Sequence, residues 1–390
     1  MRVVQSAEDL LFRQEARDWL AANVPGERRP HETGDAQRAF DVDWRRRQYD
    51  GGWGHIAWPR AYGGRGLPVA RQLIWYEECA RARAPAYTNN CCFVGLSHAG
   101  PTIIARGDDA QKAFHLPRIL SGDAVWCQGF SEPGAGSDLA GVRTRGVIDG
   151  DSLVISGQKI WTSYAIYAQF QELLIRTDPD STRHDGLTFV ICDMSAPGVE
   201  IRPIRNIAGG SDFCEVFYDE VRLPLTAVVG GVGAGWDVAM SLLAFERGAA
   251  SFPVAMEIAA RVEELLEYVE SKRPSIEGAG WRESALGARL AAVRADAAAL
   301  KSMVYLLIAR DAGPAEGSYV RLFLSELEQR VSALAMDLLG PEGLEKASLG
   351  GWPRRYLDDF KTTIAAGTSQ IQRNIIGERI LGLPKGGARR

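Results

Sequence analysis

The chain has 390 residues, 46% hydrophobic and 24% charged, an ordinary soluble composition with room for two or three domains. Its formal net charge of −4 argues against nucleic acid as a main partner, because a phosphate-binding surface needs a basic excess. No apolar run approaches the roughly 18 residues of a membrane span, so none is expected.

The first twenty residues carry Glu8, Asp9, Glu15 and Asp18 where a secretory segment would be apolar, so no such signal is expected. Six cysteines (Cys79, Cys91, Cys92, Cys127, Cys192 and Cys214) lack any Cys-x-x-Cys spacing, and the five histidines show no metal-ligand pattern. These features suggest a reducing, cytoplasmic setting, free thiols and no metal. The vicinal Cys91-Cys92 pair reads as packing rather than redox chemistry.

The N-terminal third reads helical. Ala7 to Leu20 sets Leu10, Leu11, Ala16, Trp19 and Leu20 near one face, ahead of a stop at Pro25-Gly26. Arg45-Arg46-Arg47 reads as a solvated helix face. Gln72 to Ala82 forms a second helix, on which Glu77 and Glu78 point in different directions. They read as helix surface rather than as a paired acid and base.

The pattern changes near Trp126. Thr144 to Ile148, Asp149-Gly150 and Ser152 to Ser156 make a hairpin signal. Phe170 to Arg176, Leu187 to Cys192, Val199 to Pro203 and Glu215 to Arg222 are further strands, together a small barrel or sandwich. Gly230 to Gly235 imitates a dinucleotide fingerprint, but Trp236 and Val238 stand where its third glycine would fall. A loop opening the next helical domain explains it better. Trp236 to Val269, Glu283 to Arg310 and Tyr319 to Leu339 are long helices of an antiparallel bundle. The order α, β, α excludes a doubly wound sheet and gives an α+β fold. Its expected domains are 1–124, 125–228 and 229–390.

Gly129 to Asp138 reads Gly-Phe-Ser-Glu-Pro-Gly-Ala-Gly-Ser-Asp. Gly134, Ala135 and Gly136 let backbone approach a bound group, Ser131 and Ser137 add hydroxyls, and the turn can form an anion nest. Three other segments accompany it: Gln158 to Tyr164 (Gln-Lys-Ile-Trp-Thr-Ser-Tyr), Phe245-Glu246-Arg247-Gly248, and Gly367 to Asn374 (Gly-Thr-Ser-Gln-Ile-Gln-Arg-Asn).

With the α-β-α order, these four motifs make the chain resemble the acyl-CoA dehydrogenase family along nearly its full length. The resemblance implies an FAD enzyme that introduces a trans double bond between the α and β carbons of an acyl thioester. It also implies a helical domain, a β-barrel-like domain and a four-helix domain, assembled as a homotetramer or a heteromer with a related subunit. By resemblance, Gln128, Phe130 and Ser131 lie along the flavin, and Ser137 lies near the phosphopantetheine arm or pyrophosphate. Trp161 shields the flavin, Ser163 bonds its N5 region, and Thr368 and Gln370 reach FAD near the tetramer contacts. Arg273 matches an arginine that contacts a neighbouring subunit's FAD, although Ile276 stands where an aromatic is usual. An electron-transfer flavoprotein or similar acceptor is the implied redox partner, and the thiol carrier is coenzyme A or a carrier protein.

The implied chemistry needs a base for the α proton, donors on the thioester carbonyl, and flavin N5 facing the β carbon. Many members hold the base just before Gly-Thr, where this chain has Ala366; its backbone N–H remains to polarise the carbonyl. A minority place the base one residue before an arginine on the first C-terminal helix, which here selects Glu246 beside Arg247, a substrate contact. Phe245 and Met240 to Ala244 suggest that this turn is largely buried, which would tune a carboxylate for proton abstraction. Glu132 reads as a loop scaffold, and His55 and His98 as structural. Two alternatives stay open: a flavin-dependent monooxygenase on the same fold, and a non-catalytic FAD-binding subunit of a heteromeric dehydrogenase.

Overall fold

The computed structural model describes residues 5–247, 251–272, 284–310, 315–344 and 351–384; of Glu246 and Arg247 only the backbone is described. In chain order its helices are α1 (Ala7–Asn23), α2 (Asp35–Asp50), α3 (Val69–Arg81), α4 (Gly100–Arg106), α5 (Asp109–Ser121), α6 (Gly235–Arg247), α7 (Ser251–Lys272), α8 (Ala285–Ala309), α9 (Gly317–Leu339), α10 (Trp352–Asp358) and α11 (Ser369–Ile375). The strands are β1 (Trp126–Gly129), β2 (Arg145–Asp149), β3 (Ser152–Ser163), β4 (Phe170–Arg176), β5 (Leu187–Asp193), β6 (Val199–Ile204), β7 (Phe213–Pro224) and β8 (Val228–Val229). The chain divides into two compact units: Ala22–Pro68 with Tyr87–Glu246, and Met1–Ala21 with Val69–Ala86 and Arg247–Arg390.

The first unit is built on one sheet, ordered β6-β7-β3-β2-β4-β5-β8, with β1 parallel to β4. The β2–β3 hairpin closes between Asp149 and Ser152, and Gly150 supplies the left-handed residue at φ 62° that a two-residue turn requires. β4 runs between β1 and β5, and Gln171 to Ile175 are all buried; strands covered on both faces carry such runs. Asp108 caps α5 reciprocally with Gln111, satisfying two backbone donors. Gly230, Gly231 and Gly233 have positive φ, and a Cβ on Gly235 would lie 2.5 Å from the Thr188 backbone. That run is therefore a turn fitted against β5.

In the second unit α7 packs on α8, α8 on α9, and α3 against α7. α1 buries Phe12, Ala16 and Leu20, a four-residue spacing along one face. The expected face is corrected here: Leu10 and Leu11 point to solvent, Leu11 with 73% exposure. Glu77 and Glu78 are likewise not a solvated surface. Arg13 bonds both, Arg17 lies 2.7 Å from Glu78, and Lys301 lies 2.7 Å from Glu77. Tyr305 donates to Glu77 as well. This ion network ties α1, α3 and α8 together.

Two further expectations change in the first unit. Arg45 is buried, donating through Nε to the Leu120 carbonyl at 2.8 Å and through Nη2 to that of Gly54. Of the three arginines, Arg46 and Arg47 are the partly solvated ones. On α6, Val238, Ala239 and Leu242 are buried in the core, while Met240, Ala244 and Phe245 are half-buried. The turn before Glu246 is thus less enclosed than its apolar residues suggest, because one helix face takes the core contacts.

Candidate active site

The Gly129–Asp138 loop leaves the end of β1 and is held from beneath. Glu132 and Ala135 exchange backbone hydrogen bonds of 3.0 Å. The Glu132 carboxylate accepts from Arg143 N at 2.7 Å, Thr144 N at 2.8 Å and Lys159 Nζ at 2.8 Å. Lys159 also donates to the Phe130 carbonyl at 3.0 Å. Burial pulls the Lys159 pKa down to about 8, against the opposing pull of Glu132. Burial works to raise the Glu132 pKa, but the Lys159 charge and the N–H donors outweigh it and hold it below the ordinary value. A carboxylate so occupied is a scaffold, not a base.

The outer side of the loop is open. A Cβ on Gly134 or Gly136 would meet no atom within 4 Å, and neither glycine has positive φ. No residue from 129 to 138 does, so the alternating-handed nest expected of the turn is not formed. Neither conformation nor internal packing demands those two glycines, and without side chains they leave the backbone of the loop open to close approach. Gly129 differs: a Cβ there would lie 2.7 Å from the Gln171 side chain. The hydroxyls of Ser131 and Ser137 bond nothing among the described residues. Phe130 is buried edge-on to Phe189, with ring centroids 6.1 Å apart.

Trp161 stands beside this loop, since Ile160 N donates to the Ser131 carbonyl at 2.9 Å. β3 and β7 slip by one residue between Lys159 and Thr162, a bulge that re-aims a side chain. Within it Trp161 adopts φ 61° and leaves its indole 58% exposed, with the Phe213 ring edge-on at 6.2 Å. Left-handed backbone on a bulky residue is strained. Ser163 follows half-buried at the strand end, and Gln128 is half-buried on β1.

In the helical unit Ala366 and Gly367 take φ 54° and 85° and turn the chain into α11. The Thr368 hydroxyl caps that helix, accepting from Ile371 N at 3.1 Å, which leaves its own O–H free to donate. Gln372 donates to the carbonyls of Ala366 and Gly367 at 3.1 and 3.3 Å. Arg321 bonds the carbonyls of Thr362 and Ala365 at 2.7 and 3.1 Å. The Ala366 N–H has no hydrogen-bond partner among the described residues. Gln370 is exposed. Glu246 and Arg247 end α6, their side chains outside the described residues, and Arg273 lies wholly outside them.

Rival groups are accounted for. His55 Nδ1 accepts from the backbone of Ala57 and Trp58 at 3.2 Å, and burial, then Arg45, pull its pKa to about 3. Cys91 and Cys92 are free and buried; a hydrogen bond from Cys92 and burial push the Cys91 thiol up, away from thiolate chemistry. His98 is buried, its Nδ1 3.6 Å from Glu172 Oε1. Among the described residues no group of histidines, cysteines and carboxylates could hold a metal, and no helix is long and apolar enough to cross a membrane.

Residues 6–123 match the family model described as Acyl-CoA dehydrogenase, N-terminal domain, residues 127–221 the middle domain, and residues 233–381 the C-terminal domain. The chain belongs to the acyl-CoA dehydrogenase family. It is accordingly an oxidoreductase of the acyl-CoA dehydrogenase type, and the family's members are flavoproteins. Acyl-CoA dehydrogenase IpdE1 of Mycobacterium tuberculosis is similar, 39% identical over 96% of this chain and 97% of its own length. The ChsE4-ChsE5 complex from the same organism contains a chain 34% identical, with TM-score 0.84 over 99% of this chain and 100% of that one. A solved structure described as Tcur3481-Tcur3483 steroid ACAD is 28% identical, with TM-score 0.85 over 99% of this chain and all of the other.

Three supporting residues of this acyl-CoA dehydrogenase escaped the sequence reading. Lys159 lies in the Gln158–Tyr164 motif, where nothing local marks it as the buried partner of Glu132. Gln372 lies in the C-terminal motif, and its bonds to the Ala366 and Gly367 carbonyls are equally invisible there. Glu172 carried one usable signal: a carboxylate inside an otherwise apolar strand needs a partner when buried.

Proposed function

We propose that this acyl-CoA dehydrogenase holds FAD against the Gly129–Asp138 loop and Trp161 and converts an acyl thioester to the trans-2-enoyl thioester. Trp161 carries the reading: a largely exposed indole on strained backbone, bonded through its neighbour to a loop with open glycines and unused hydroxyls. Strain of this kind persists where the surrounding structure enforces it for a site. Gln128, Phe130, Ser131, Ser137, Trp161 and Ser163 hold the cofactor in this reading, with Thr368, Gln370 and Arg273 adding further contacts. Bound FAD supplies the hydride acceptor.

The chain's own groups prepare the substrate. The Ala366 N–H, without a hydrogen-bond partner among the described residues and on a backbone turn pinned by Gln372, donates to the thioester carbonyl and favours charge on its oxygen. Glu246 takes the α proton that this polarisation acidifies. Ser137 and Arg247 hold the thioester arm, and an electron-transfer flavoprotein or similar acceptor takes the electrons. The names of similar proteins support a steroid-type acyl group on coenzyme A and a heteromer with a related subunit, with a homotetramer as the alternative. The boundaries 1–124, 125–228 and 229–390 remain our reading of the domains.

Anaerobic mixing of the FAD-loaded chain with short, branched, aromatic and steroid-like acyl-CoA thioesters tests this reading. A substrate bleaches the flavin absorbance, and Glu246→Gln stops the bleaching while FAD stays bound. A Glu246→Gln variant that bleaches at the normal rate refutes the base assignment. The alanine at position 366 favours a second reading, a catalytically silent FAD-binding subunit. In that case no thioester bleaches the flavin until a partner chain is added.

A further inference from the structure

We infer that Glu172 is a positioning residue for Gln128, fixing its carboxamide so that the carbonyl oxygen is offered as a hydrogen-bond acceptor to the bound group. The inference rests on the cofactor role proposed for Gln128. β1 and β4 run parallel with Gln128 directly opposite Glu172, so both side chains share one face of the sheet. Glu172 is completely buried, and its Oε1 accepts from Gln128 Nε2 at 2.9 Å. His98 Nδ1, 3.6 Å from that same oxygen, approaches the carboxylate from the helical side.

A carboxamide has two chemically opposite ends, and its orientation is decided by what it faces. Glu172 Oε1 is the acceptor at 2.9 Å, so the NH₂ end of Gln128 is turned toward it. The other end, Oε1, has no hydrogen-bond partner among the described residues and belongs to a half-buried side chain. Gln128 adjoins the Gly129–Asp138 loop. The group recognised there is an N–H or O–H donor. It comes either from the ring system of the cofactor or from a polar substituent of the acyl group.

A double-mutant cycle on Gln128→Leu and Glu172→Gln tests this, read first as FAD affinity of the apoprotein and as the visible spectrum of bound flavin. Gln128→Leu removes the acceptor; Glu172→Gln lets either end of Gln128 face inward. If the donor is on the cofactor, Gln128→Leu weakens FAD binding roughly tenfold. Glu172→Gln then weakens it less and shifts the flavin bands, and the double variant is no weaker than Gln128→Leu alone. If the donor is on the acyl group, FAD affinity holds. The same non-additive pattern then appears in KM for hydroxylated acyl-CoA thioesters but not for plain ones.

Losses that simply add, or a Gln128→Leu variant unchanged in both arms, overturn the inference. Should Glu172→Gln fail to fold, Glu172→Asp, one methylene shorter, draws the acceptor back from Gln128 and must show the same non-additivity. A wild-type chain that binds no FAD overturns the proposed function instead.

Discussion

Lys159 Nζ stands 2.8 Å from Glu132 Oε1 with the lysine side chain wholly buried, so the floor of the loop that borders Trp161 is an ion pair. Lys159→Met removes the cation and leaves the carboxylate with two backbone donors. It is expected to cost about 3 kcal/mol at pH 7 and to weaken FAD binding by loosening the loop. Folded, Lys159 titrates near 8; in an unfolded chain a lysine titrates near about 10.4. Between those values the unfolded chain binds more protons, so this residue makes stability rise with pH across the window. The penalty of burying the charged form is full below about pH 8. Urea denaturation from pH 7 to 10.5 should show wild type gaining on Lys159→Met, and parallel curves would refute the assignment.

Trp161 gives a prediction whose sign is unusual. At an ordinary strand position glycine is about 0.5–1 kcal/mol less stable than alanine. At φ 61° the order reverses, because alanine keeps a Cβ in the left-handed region. Trp161→Gly should therefore melt above Trp161→Ala by about 1 kcal/mol of stability, although both lose the indole and bind FAD more weakly. Alanine melting higher would mean that the bulge relaxes once the indole is gone.

Much of the fold was legible because local signals agreed. Phe170 to Arg176 reads as a strand and is one, and the Asp149-Gly150 signal places its hairpin within a residue. The misjudged positions share a cause, which is that sequence neighbours do not reveal tertiary partners. Arg45 looks like Arg46 and Arg47 until Leu120 and Gly54 supply buried carbonyls. Glu77 and Glu78 look solvated until Arg13 and Lys301 arrive from distant helices. The open glycines and bare hydroxyls of the loop were visible as a motif. The strain at Trp161 was not, because a bulge is a relation between two strands.

Glu78 of the helical unit pairs with Arg13, Arg17 and Arg81 at 2.5, 2.7 and 3.0 Å, with only 2% of its side chain exposed. Burial works to raise its pKa, but bonds from Arg17 and Arg13 outweigh it and hold the folded value below normal. Its contribution is thus present above the unfolded carboxylate value of about 4.3 and is lost as pH falls through the lower folded one. Glu78→Gln should cost about 3 kcal/mol near neutrality and flatten the acid limb of a melting-temperature profile from pH 3 to 7. An unchanged acid limb would assign acid unfolding to other carboxylates.

Gln372 bonds both carbonyls of the left-handed Ala366-Gly367 turn from a buried side chain. If the Ala366 N–H polarises the thioester, its aim depends on that turn. Gln372→Leu keeps the bulk but removes both donors, so the two backbone carbonyls lose their internal partner and the turn loosens. The expected result is a fall of about tenfold in the bleaching rate at saturating thioester, the size of one displaced carbonyl donor. FAD affinity should change less than twofold, because the residues proposed to hold the cofactor are untouched. Stopped-flow bleaching with a parallel FAD titration separates the two effects. A normal saturating rate would show that Arg321, through the Thr362 and Ala365 carbonyls, holds the turn by itself.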